Sequence, residues 1–106
     1  METYLVYVTT ADDAEAKRIA KTVVEARLAA CANVLGSVQS VYRWEGRMCE
    51  EAEVALVLKT SNDRKAALID RIKQLHSYDT PCIVCMPIAD GNQEFLKWIA
   101  DETIRR

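Results

Sequence analysis

Apolar residues in this chain repeat with two periods, and the switches between them mark out the elements. "TYLVYVTT" (residues 3–10) is rich in β-branched and aromatic side chains and reads as a buried strand. Asp12 and Asp13 then place capping oxygens and negative charge where a helix N-terminus wants them. In the helix they open, Ala16, Ile19, Ala20 and Val23 recur at i, i+3, i+4 and i+7, one apolar stripe. Residues 33–44 alternate instead. Val38, Ser40, Tyr42 and Trp44 share one face, and Gln39, Val41 and Arg43 the other. "EGRM" (45–48) carries Gly46 and reads as a hairpin turn, after which "EVALVLKT" (53–60) sets Val54, Leu56 and Leu58 against Ala55, Val57 and Lys59. "SND" (61–63) is a second N-cap cluster before a helix with Leu68, Ile72 and Leu75 on one side. Pro81 opens the strand "CIVCMPI", and "DGN" (90–92) turns the chain into a last helix around Phe95 to Ile104.

The order strand–helix–strand, hairpin, strand–helix–strand is that of the split βαβ, or ferredoxin-like, sandwich, here an α+β fold with an extra C-terminal helix. Right-handed crossovers place both long helices on the same face of one antiparallel sheet. Two strands are too long for that sandwich. Residues 33–44 and 50–60 run about twice the usual strand length. At ~3.3 Å per residue they span roughly 35 Å, more than two helices cover. Their projecting ends would leave open edges bearing Tyr42 and Trp44 unless a second chain pairs with them. The pattern therefore predicts an oligomer built by strand pairing between subunits.

The 106 residues suit one domain spanning residues 1–106, with no linker-like or low-complexity stretch. A formal net charge of −2 with interspersed signs argues against nucleic-acid binding, which wants a clustered basic surface. The N-terminus shows no signal-peptide pattern, and the apolar runs fall far short of the roughly 20 residues that cross a bilayer. A cytoplasmic protein is expected, with Cys31, Cys49, Cys82 and Cys85 reduced. Cys82 and Cys85 have the C-x-x-C spacing of redox and zinc sites, but Ile83, Val84 and Met86 around them are strand-like. On a strand, i and i+3 face opposite ways ~10 Å apart, so the two thiols neither close a disulfide nor share a metal. They read as small hydrophobes.

Few residues are left for chemistry. His76 is the only histidine; at a helix end it reads as a cap for the last carbonyls, or as a ligand or acid–base group. Lys59, in an apolar strand, either snorkels to the surface or presents a cation to an anionic ligand. Glu45, Glu50, Glu51 and Glu53 lack the spacing of a calcium loop and read as a solvated face that deters edge pairing. The three glycines are isolated, so no phosphate-cradling loop is present, and the third strand has no aromatic on which RNA bases would stack. A hydrolase of the acylphosphatase kind would want such a loop after the first strand, where "TTADDAEA" offers two aspartates instead. Catalysis is not indicated.

Five stretches, "RLAACAN" (27–33), "SVYRWEG" (40–46), "LKT" (58–60), "LHSYDTP" (75–81) and "GNQEFLKWI" (91–99), together resemble the CutA divalent-cation-tolerance family. The resemblance implies a ferredoxin-like, PII-like homotrimer with long strands paired between subunits. It also implies a role in tolerance of copper and other divalent cations. His76, Tyr78 and Pro81 match the family's His-x-Tyr-x-x-Pro motif, which makes His76 the candidate metal ligand. Copper-linked members carry a second histidine just before it and a cysteine late in the first strand. Here those positions hold Leu75 and, near the strand end, Thr9 and Thr10, so one imidazole would need carboxylates, thiolates or a symmetry mate to complete coordination. Trp44, Lys59, Tyr78 and Trp98 match family positions that line the cleft between subunits or form interface core. The alternative is a PII-like module that binds a small anionic metabolite in that cleft through Lys59 and His76.

Overall fold

A computed structural model describes residues 2–104. The strands are β1 (Thr3–Thr10), β2 (Cys31–Trp44), β3 (Arg47–Ser61) and β4 (Ile83–Pro87), and the helices α1 (Asp13–Glu25), α2 (Asn62–Leu75) and α3 (Gln93–Glu102). One antiparallel sheet has the order β2-β3-β1-β4, the ferredoxin-like arrangement expected from the element order.

Alternation along the strands decides what is buried. Val6 and Val8 of β1 and Leu56 and Leu58 of β3 point to one face and are fully buried under Ile19 and Val23 of α1 and Leu68 and Ile72 of α2. The stripe on α1 is the one its spacing predicted. Asp12 caps that helix, its Oδ1 accepting from the backbone N–H of Glu15 at 2.8 Å. Ser61 stands at the N-cap position of α2 without capping it. Its hydroxyl instead accepts from Thr103 Oγ1 at 2.9 Å, which ties the end of α3 to the start of α2.

The hairpin is longer than the sequence pattern indicated, because β3 starts at Arg47 and only Glu45 and Gly46 turn the chain. Both have positive φ, +49° and +78°, the conformation of a two-residue turn whose twist matches the strands it joins. Further back, Val34 pairs with Leu56 but Gly36 pairs with Ala55, so Leu35 is an extra, bulged residue beside a glycine at φ +105°. The bulge shifts the parity of β2. Ala32 and Val34 lie opposite Leu58 and Leu56 of the core, whereas beyond it Val38, Ser40 and Tyr42 lie opposite Glu53, Glu51 and Cys49. These residues therefore occupy the sheet face that turns away from α1 and α2.

Candidate functional site

The site is built where β4 stops short. It pairs with β1 only from Tyr4 to Val8, so the edge of β1 is open at Thr9. The segment after α2 fills that gap. His76, 9 % exposed, directs Nε2 to the carbonyl of Thr9 at 2.8 Å, and its Nδ1 accepts from the backbone N–H of Tyr78 at 3.1 Å. Because Nδ1 accepts, Nε2 carries the hydrogen and donates: the ring is a neutral bridge between β1 and the 76–80 segment. The sequence reading of His76 as a cap for the last carbonyls of α2 needs correction. Its backbone N–H closes the helix onto Ile72, while its ring serves β1.

Glu15, absent from the sequence candidates, holds the same segment from the other side. It is 3 % exposed; Oε1 accepts from the N–H of Ala11 at 2.9 Å and Oε2 from the N–H of Ser77 at 2.8 Å. Burial alone would push this carboxyl up. The hydrogen bonds from Ala11 and Ser77 outweigh burial and hold it below the ordinary carboxylate value. Its signal in the sequence was a glutamate three residues past an N-cap aspartate, a pattern that reads as helix-dipole charge and hides a long-range partner.

Held in this way, Tyr78 packs against the His76 ring at 4.7 Å between centroids and donates its hydroxyl to Glu53 Oε2 at 2.9 Å. Tyr42 donates to Glu51 Oε1 at 2.8 Å. Both phenols are harder to ionise than usual. For Tyr42 the bond to Glu51 is the main cause and the pKa is pushed up to about 12; for Tyr78 burial leads and Glu53 follows. The glutamates are thus not simply a solvated face: Glu53 is only 7 % exposed, and both Glu51 and Glu53 are engaged by tyrosines. The clue was parity, since Glu53 shares a face with Ala55 and Val57.

These side chains line a groove of about 640 Å³ on the open face of the sheet, together with Tyr7, Thr9, Trp44, Asp79 and Cys82. Among the described residues, three carboxylates border it and no lysine or arginine does. Of the sequence candidates, Trp44 and Tyr78 line the groove and His76 supports it from behind. Lys59 lies elsewhere on the sheet, its ammonium hydrogen-bonded to Asn33 Oδ1, and Trp98 stacks on Phe95 of α3 at 5.4 Å. Among the described residues no three His, Cys, Asp or Glu side chains converge as a metal site. All four cysteines are free. Cys85 is in β4 as expected, its thiol pushed up by burial, whereas Cys82 lies just before the strand, exposed at the groove rather than packed within it.

Residues 4–102 match the model of a family described as CutA1 divalent ion tolerance protein. The divalent-cation tolerance protein CutA of Thermus thermophilus is 42 % identical over 99 residues, covering 93 % of this chain and 96 % of its own. Its solved structure superposes with a TM-score of 0.93 over 95 % of this chain and 98 % of that one. The structure of the periplasmic divalent cation tolerance protein CutA from Archaeoglobus fulgidus gives a TM-score of 0.92 at 39 % identity, over 96 % and 99 % of the two chains. The chloroplastic protein CutA 1 of rice is 37 % identical over 93 % of this chain, which spans 56 % of the rice protein's length.

Proposed function

Because the chain belongs to the CutA1 divalent ion tolerance family, we propose that it serves in divalent-cation tolerance as a non-enzymatic homotrimer, binding a cation in the groove beside β3. One observation carries the choice of ligand charge: Glu51, Glu53 and Asp79 border the groove with no basic side chain among its described lining residues, which favours a positive ligand. A small anionic metabolite at Lys59 is the weaker reading, since that ammonium is held by Asn33 and lies outside the groove.

The described residues of a single subunit do not supply a complete metal centre, because no three His, Cys, Asp or Glu side chains among them converge. In a trimer, the hairpin of a neighbouring subunit adds donors at the groove. Copper, the ion implied by the resemblance, favours nitrogen ligands, and His76 supplies one only by giving up its bond to Thr9 or to Tyr78. The four unpaired thiols suit a reducing cytoplasm, where we place the protein; no helix among the described residues is long and apolar enough to cross a membrane.

The test is a calorimetric titration of copper and of zinc into the reduced, metal-free protein. Saturation at a fixed ratio per subunit, weakened in Glu53→Gln and lost in His76→Ala, is the expected outcome. Absent heat, or the same heat from all three proteins, sinks metal binding at this site. Stabilisation by anions that disappears in Lys59→Ala would then favour the anionic reading.

A further inference from the structure

We propose that α3 is a detachable strap, which opens as a unit while the rest of the fold stands, and that Arg27, at the end of α1, is its latch. It does so whatever the groove binds.

The three helices are seated differently. α1 buries Ala16, Ile19 and Val23 completely, and α2 buries Leu68 and Ile72, all in the core shared with β1 and β3. α3 packs against β1 and β3 outside that core, and Ile99 is its one fully buried apolar side chain among the described residues. Leu96, one turn earlier on the same side, is only partly buried. A crevice of about 840 Å³ runs between the end of α3 and the start of α2, bordered by Ser61, Asn62, Arg64, Asp101 and Thr103. An element with so little apolar contact opens at a lower free energy than the core, and by itself.

Polar contacts hold the end of α3 instead. Thr103 Oγ1 lies 2.9 Å from Ser61 Oγ. Arg27 Nη1 donates to the carbonyl of Glu102 at 3.2 Å and lies 3.6 Å from Glu102 Oε1. The last turn of α3 has no basic residue of its own, so this guanidinium supplies the positive charge that a helix C-terminus attracts. Arg64 of α2 in turn donates to the carbonyls of Ala26 and Arg27, at 3.4 and 3.3 Å, which fixes the backbone from which the latch projects. These contacts lie within one subunit, at the opposite end of β3 from the hairpin turn, so they persist in the proposed trimer.

The backbone of Arg27 is a second, independent mark. α1 ends in a paired turn: the N–H of Leu28 reaches the carbonyl of Val23 at 2.9 Å, and that of Arg27 the carbonyl of Val24 at 3.0 Å. Such a turn forces a left-handed residue, and Arg27 stands there at φ +60°, where glycine is favoured. The strain is borne at the position whose side chain reaches the end of α3.

Native-state hydrogen exchange on the intact protein in its own assembly, read by mass spectrometry, is the test. Amides of residues 96–102 should exchange at least about tenfold faster than those of 68–75, through an opening that the core helices do not share. Arg27→Gly removes the guanidinium and relieves the backbone. It should speed exchange in α3 a further tenfold, roughly, while the denaturation midpoint stays level or rises. Arg27→Gln keeps the strain and should speed α3 as much. Sodium chloride at about 0.5 M should loosen α3 in the unsubstituted protein and leave both variants unchanged, because it screens the half-exposed ion pair. α3 protected as strongly as α2, as a neighbouring subunit seated on it would make it, overturns the proposal. So does an α3 indifferent to both substitutions, or exchange that rises equally in all three helices.

Discussion

At Glu15 a buried carboxylate is kept ionised by the backbone amides of Ala11, just before the helix, and of Ser77, 62 residues further on. Its folded pKa lies below the ordinary value of 4.5, so its contribution to stability is complete above that pH. As pH falls, the unfolded chain takes up the proton first, and the contribution is lost as pH passes through the folded value. Glu15→Gln keeps the shape but presents an amide N–H to a backbone N–H. It should cost about 1–3 kcal/mol at pH 7, with the gap from the unsubstituted protein closing below pH 4.5. Denaturant melts of both proteins from pH 7 to pH 3 check this; a gap that persists at pH 3 contradicts it. His76 shows the same limit of sequence reading. Its motif marked it as special, but the choice between helix cap, ligand and strand bridge depended on the open edge at Thr9, 67 residues away.

Among the elements, the β2–β3 hairpin departs furthest from a plain sandwich. Its turn was legible as "EGRM" because Gly46 sits there, yet the turn is tighter than that, with Met48 and Arg47 already paired. Nothing lies within 4 Å of where a Cβ on Gly46 would stand, so the constraint on this residue is its φ of +78° alone. Gly46→Ala should therefore cost about 1 kcal/mol through backbone strain, without repacking. A lower denaturation midpoint at unchanged slope is the signature, whereas a changed slope would mean that the hairpin reorganises. The bulge at Leu35 had no comparable signal. Gly36 permits it, but only the register against β3 requires it, and that register decides which face Tyr42 and Trp44 share with Glu53.

At the scale of the whole molecule, the chain measures 43 × 26 × 22 Å, and the long dimension exceeds what either helix spans. Leu35, Val41 and Met48 on the hairpin are each more than half exposed, apolar surface that a lone subunit leaves in water. The proposed trimer covers it. Light scattering should give three chains per particle at micromolar concentration, with a melting temperature that rises with protein concentration. Leu35→Glu, which adds charge to an exposed bulge without touching the core, should shift the particle toward single chains. A monomeric mass for the unsubstituted protein would end the trimer reading.

The sequence by itself determined the elements, their order and the antiparallel sandwich, because periods of 3.6 and 2 fix which side chains face the core and local caps fix where helices begin. It also determined that two strands outrun their helices, since strand length is simply residue count times rise. What only the tertiary structure decided was the chemistry of the open face. Glu15 meets Ser77, and Tyr78 meets Glu53, through residues far apart in the chain. Those meetings follow from sheet order, from a bulge and from the early end of β4. Because hydrogen-bond partners are selected in space rather than along the chain, no local pattern announced that a row of glutamates was the wall of a groove.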